Sequence, residues 1–239
     1  MSTNRLILCL AISALLAGCE RSQQPADSQP TARATSAPAG VTASSKPIHV
    51  FVSILPQAYF VERVGGERVS VDVLVGPGRS PGTYAPTPQQ MAGLEKANVY
   101  FSIGVPFETR LLEKLTSSLK RLNVVDSRRG VELRMMTAAH HHHQDEEVAD
   151  DHDHAEHAAG MPDPHVWMDP KRVKIIARNI HDELARLDPE HADEYATNLD
   201  AFLADLTALD TRITETLKPL KGREFFVFHP AYGLSLIHI

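Results

Sequence analysis

The chain has 239 residues, 43% hydrophobic and 23% charged, enough for one or two globular cores and too apolar for general disorder. Its 24 basic and 30 acidic side chains leave a formal net charge of −6, which argues against nucleic acid or an anionic membrane surface as the main partner. The acidity is concentrated in Asp145, Glu146, Glu147, Asp150, Asp151, Asp153 and Glu156, a stretch without Lys or Arg.

Taken in chain order, residues 1–18 have the layout of a secretory signal peptide: Arg5, the apolar run Leu6–Ala17, then small residues. The run is too short to span a bilayer. Leu16-Ala17-Gly18-Cys19 resembles the bacterial lipoprotein processing box, which makes Cys19 the expected lipidation site. Cys9 leaves with the leader, so no disulfide is expected even in an oxidising compartment. Beyond Cys19, residues 20–46 are Ser, Ala, Thr, Gln and Pro with no aromatic residue, and cannot offset their own ordering entropy. They read as a disordered tether with a reach of roughly 25–30 Å, enough to hold a domain just off a membrane. Several acyl chains anchor stably where one is marginal.

From Ile48 strand-like and helix-like runs alternate. His49–Leu55 and Val69–Val75 are β-branched and bounded by Pro or Gly; Asn98–Ile103, Asn123–Val125 and Glu224–Phe228 are further strands. Gln57–Val64, Pro88–Lys96 and Phe107–Leu119 carry the helical period. This alternation implies an α/β fold of βαβ units on a parallel sheet, with ligands outside the carboxyl ends of the strands. In Thr87-Pro88-Gln89-Gln90 the Thr is an N-cap, Pro88 takes the first helical position and Gln90 closes a capping box, anchoring the end of the long loop Gly76–Pro86. Asp169-Pro170 repeats the device ahead of a helix whose apolar positions are Val173, Ile176, Ala177, Ile180 and Leu184. A longer helix runs from about Pro189 to Leu217, roughly 40 Å, a length suited to joining two lobes.

Only Glu224–Phe228 follows as a strand, and one strand cannot bury both faces. Either it joins the first sheet or it opens a second lobe that is mostly absent from this chain; the latter is favoured. The expected division is a signal peptide (1–18), a lipidated cysteine and tether (19–46), an N-terminal α/β lobe (47–187) with a His-rich loop (138–160), a linking helix (188–218) and the start of a truncated second lobe (222–239).

The densest chemistry is His140-His141-His142-His143 followed by His152, His154 and His157 among the carboxylates. Imidazoles suit zinc, copper, nickel and iron, and a solvated acidic face alone has no need of them. A flexible loop of this kind binds many ions weakly, so it is expected to collect metal without being the final site. The rigid candidate is Asp163-Pro164-His165-Val166-Trp167-Met168-Asp169-Pro170, where two prolines and a helix cap hold His165 at a loop-to-helix junction. The second is His229, between the strand Glu224–Phe228 and Pro230. A lone histidine there is more often structural, but two in matching loop positions on either side of a long helix suit one ligand.

Ile54-Leu55-Pro56-Gln57, Ser80-Pro81 to Tyr84-Ala85-Pro86-Thr87-Pro88, Asp163-Pro164-His165 to Trp167-Met168-Asp169-Pro170 and Phe228-His229-Pro230 together resemble the zinc and manganese solute-binding proteins of metal ABC importers. The resemblance covers residues 48–234 in order, and the histidine- and acid-rich loop ahead of Asp-Pro-His is typical of the zinc (ZnuA-like) branch. It implies two α/β lobes with parallel four-stranded sheets, a long rigid helix between them, and one divalent metal in the cleft, with His165 and His229 as ligands. It further implies a non-enzymatic, monomeric lipoprotein of the cell envelope, facing the periplasm or the extracellular side, that passes Zn²⁺ to an ABC permease.

Two departures bear on the site. Gly82 stands where the family usually has a histidine, and the usual late carboxylate ligand lies beyond Ile239. Zinc favours four ligands in a closed site, so Glu108, Tyr84, a loop histidine or water is left to take the first place; Glu108 also suits a helix N-terminus for its charge alone. The tail Ser235–Ile239 does not match the family, and His238 is given no role. A manganese or iron receptor is the chief alternative and a metal-scavenging adhesin another. A zinc hydrolase would need an open coordination position and a base, and H-E-x-x-H is absent.

Overall fold

Four runs of β-branched and aromatic residues pair into a single parallel sheet in the order β2-β1-β3-β4: β1 (Ile48–Ile54), β2 (Val69–Val75), β3 (Val99–Ser102) and β4 (Asn123–Asp126). The computed structural model describes residues 46–136, 160–223, 227, 229 and 231–235. Register runs from Ile48↔Val69 to Ile54↔Val75 between β1 and β2, with Val50 opposite Val99 and Ser102 opposite Asp126 across the other pairs. The central strands β1 and β3 are covered on both faces, so they read as nearly unbroken apolar runs, while edge strand β2 alternates over its first half. Strand order reverses between β1 and β3, the point at which open α/β sheets bind ligands.

The helices are α1 (Leu55–Gly65), α2 (Pro88–Leu94), α3 (Glu108–Ser118), α4 (Pro170–Leu187) and α5 (Ala192–Leu217). The capping box of α2 is present, with Gln90 N donating to Thr87 Oγ1 at 3.2 Å and Thr87 N to Gln90 Oε1 at 3.0 Å. Asp169 caps α4 through Lys171 N, and Val173, Ile176, Ala177, Ile180 and Leu184 form its buried stripe as the spacing predicts. Tyr195, Leu199, Phe202 and Leu206 bury the first half of α5; Leu209, Ile213 and Leu217 continue the stripe half-buried. This helix therefore serves the core of this lobe before it extends past it. No helix among the described residues is long and apolar enough to cross a membrane.

The predicted boundaries shift where local chemistry competes. Leu55 belongs to α1 rather than to the first strand: it is the first helical residue, and Pro56, favoured in a helix's first turn, is the second. Pro189–His191 form a 3₁₀ turn before α5. Of the predicted strand Glu224–Phe228 only Val227 is described; the leader, Cys19, the tether and His140–His143, His152, His154 and His157 also lie outside the described residues.

The α4–α5 corner is held by Asp188, which accepts from Tyr195 OH at 2.8 Å and from His191 Nδ1 at 2.8 Å. Burial opposes its charge, but the His191 and Tyr195 bonds and the nearby Arg68 outweigh that and hold the carboxyl below its ordinary range. Burial and the bond to Asp188 push the Tyr195 hydroxyl up, so it stays a donor. Removing Asp188 strands the hydroxyl of a fully buried ring, and Asp188→Ala is expected to lose about 1–3 kcal/mol of stability at neutral pH. A depressed folded value adds a charge-dependent part that is complete above the unfolded carboxyl value of about 3.9 and disappears as pH falls through the folded one. Denaturant titrations of the two proteins should accordingly draw closer in strong acid without meeting, because a protonated carboxyl still accepts from Tyr195 OH.

Candidate metal centre

Asp163-Pro164 places a carboxylate two residues before His165, and the side chain folds back onto it. Asp163 Oδ1 accepts from His165 N at 3.0 Å and lies 2.7 Å from His165 Nδ1. Both side chains are nearly buried, at 5% and 11% exposure. An ionised carboxylate only accepts, so Nδ1 carries the proton and the lone pair of Nε2 points away from Asp163. The 3₁₀ turn Val166–Met168, closed by Met168 N to His165 O at 3.0 Å, fixes the ring from the other side. The chain then enters α4 at the Asp169 cap, which is itself paired with Arg172. Trp167, the only tryptophan of the chain, stands edge-on to His165 with ring centroids 5.2 Å apart.

His165 Nε2 faces His229 Nε2 at 3.0 Å, the rings meeting near-perpendicularly at 75° with centroids 5.0 Å apart. Sixty-four positions separate the two residues in sequence. Zinc bonded to two imidazoles at 2.0–2.1 Å with tetrahedral angles sets the nitrogens roughly 3.3 Å apart. A shift of a few tenths of an ångström thus turns this pair from sharing one proton to sharing one cation.

The other sequence-predicted residues are placed elsewhere. Glu108 is 2% exposed at the carboxyl end of β3. Its Oε1 accepts from Ile103 N at 2.9 Å and from the Ser53 hydroxyl, and its Oε2 from Gly104 N at 2.5 Å. Burial pushes its carboxyl up, opposed by Ser53 and by the Ile103 and Gly104 amides. Ser53 also bonds Tyr100 OH at 2.6 Å, and Gln57 ties Ser53 N to Phe101 O across β1 and β3. Tyr84 donates to Gln90 Oε1 at 2.6 Å and packs edge-on against Phe107 at 5.1 Å. Gly82 presents no side chain, and its N–H donates to Ser80 Oγ at 3.2 Å. Among the described residues no three His, Cys, Asp or Glu side chains gather to hold a metal. The oxygens of Glu108 and Tyr84 are engaged in holding the β3 end and the loop before α2.

Two features escape the sequence reading. One is the role of Asp163, signalled only by an Asp-Pro-His spacing that suits an Asx-type return bond. The other is a clasp between residues 134–136 and 160–163, which flank the histidine-rich stretch in sequence: Met136 N to Met161 O at 2.8 Å, Asp163 N to Arg134 O at 2.7 Å, and an antiparallel bridge between Met135 and Pro162. The two flanks are thereby joined next to His165.

Residues 50–236 match the family model described as "ZnuA: Zinc-uptake complex component A periplasmic". The high-affinity zinc uptake system protein ZnuA of Yersinia pestis is 30% identical over 192 residues, covering 77% of this chain and 60% of that protein. The zinc-binding lipoprotein AdcA of Streptococcus pneumoniae is 26% identical over 187 residues, covering 78% of this chain and 36% of that protein. A crystal structure of a zinc-bound ZnuA deletion mutant superposes with a TM-score of 0.68 at 38% identity, covering 80% of this chain and 66% of the other. The chain thus spans three-fifths of the length of the Yersinia protein. It carries the α/β solute-binding fold with a four-stranded parallel sheet and long helices, in one lobe. Fold and sequence agree: the chain belongs to the ZnuA family of zinc-uptake components, a transport family and not a family of enzymes.

Proposed function

We propose that this chain captures Zn²⁺ outside the cytoplasmic membrane and passes it to an ABC permease, anchored by lipid on Cys19. The observation that carries the reading is the 3.0 Å approach of two Nε2 atoms, one of them backed by a buried carboxylate. A carboxylate behind a ligating imidazole raises its basicity and fixes its orientation. Nitrogen donors favour zinc over manganese, which prefers oxygen. The names of the Yersinia and Streptococcus relatives, a zinc uptake protein and a zinc-binding lipoprotein, support the same cargo and the anchor. Zinc serves as cargo here, so no reaction is involved, and the histidine-rich stretch is assigned an auxiliary collecting role.

Trp167 supplies the test. In chelator-buffered titrations its fluorescence should change with one equivalent of zinc and be insensitive to further ions taken up by the histidine-rich stretch. Manganese in large excess should displace little of that zinc. Equal competition by the two metals would contradict the assignment of cargo.

A further inference from the structure

Arg134 makes two bonds that join the halves of the metal centre. Its carbonyl accepts from Asp163 N at 2.7 Å, fixing the residue that backs His165. Its Nη1 donates to Gly233 O at 2.5 Å, four residues beyond His229. The seating is close: a Cβ at Gly233 would lie 3.3 Å from Asp163 Oδ2 and 3.4 Å from Arg134 Nη1. The adjoining Leu234 is fully buried, so this segment docks at one place and not over a range. A charge-assisted bond from a guanidinium to a carbonyl is stronger than a neutral one.

We infer that Arg134 is a positioning residue for zinc, holding the His229-bearing segment in register with Asp163 and His165. The inference rests on the proposed zinc site. Neither bond of Arg134 reaches the ion. What it controls is the fraction of molecules in which the second imidazole faces the first, and affinity scales with that fraction.

Arg134 is exposed, so replacing its side chain leaves the core intact. In Arg134→Ala, zinc affinity read by Trp167 fluorescence in the full chain should fall roughly 10–100-fold, the range typical of residues that support metal ligands. The melting temperature without metal should be unchanged. Arg134→Lys keeps a cationic donor for Gly233 O and should recover most of the affinity. With cobalt(II) bound, the ligand-field spectrum of Arg134→Ala at saturation should match the wild type, since the ligands themselves are retained. Wild-type affinity in Arg134→Ala overturns the inference, as does a loss that Lys fails to restore or that merely follows a lowered melting temperature. If His165→Ala and His229→Ala also bind zinc like the wild type, the zinc site itself falls, a result distinguishable from failure of the strap alone.

Discussion

His165→Ala should weaken binding of the first zinc ion by roughly 100-fold or more, beyond the 10–100-fold usual for supporting residues, because it removes a ligand outright. His229→Ala should do the same. Asp163→Ala should lie between these variants and the wild type: the imidazole remains, but Nδ1 loses its buried acceptor and the ring its orientation. The histidine-rich stretch would keep taking up several ions weakly in all three variants, so total zinc bound is an insensitive readout. Competition against a chelator of known affinity, followed through Trp167, isolates the first ion. The double variant His165→Ala/His229→Ala should be scarcely weaker than either single one, since a site that has lost one imidazole no longer holds the ion for the other.

The second large effect concerns the fold beneath the site. Glu108→Ala leaves the buried Ile103 amide and the half-buried Gly104 amide without their acceptor, while the Ser53 hydroxyl keeps Tyr100 OH. At about 1–3 kcal/mol for each stranded amide, partly relieved by water, the expected loss is roughly 2–4 kcal/mol, a large share of a typical domain's stability. Glu108→Gln keeps the shape but turns an amide donor toward amide donors, and should recover only part. The pH dependence has a definite sign. Burial raises the folded carboxyl above its unfolded value of about 4.3, so between the two values the folded protein holds a proton that the unfolded chain has released. Stability from this group is complete below the unfolded value and is lost as pH rises through the folded one. Denaturation of wild type and Glu108→Gln across that interval should show the slope in the first and its absence in the second.

Much of this architecture is legible in local chemistry. Val69–Val75 forms β2 over the residues predicted, and Thr87-Pro88-Gln89-Gln90 makes its capping box, because each depends on neighbours a few residues away. The buried stripe of α4 follows from the helical period alone. The prolines and helix cap beside His165 are local features, whereas its 3.0 Å approach to His229 depends on tertiary folding. Glu108 shows where local reading ends. Its charge suits the first turn of α3, and nothing nearby signals that the side chain returns to Ile103 and Gly104. That return uses Gly104 at φ +81°, where a Cβ would strike the Arg128 guanidinium. Arg134 carries no local signal for the same reason, since its partner Gly233 is 99 positions away.

Zinc K-edge absorption spectroscopy of the protein, loaded at a chelator-buffered free zinc too low for the histidine-rich stretch to hold an ion, tests the paired-imidazole site most directly. The two histidines predict imidazole scattering at about 2.0–2.1 Å in the wild type and a clear loss of it in His165→Ala/His229→Ala under the same buffering. An identical imidazole signal in both proteins would mean that the first ion settles elsewhere, and would contradict the assignment of His165 and His229 as its ligands.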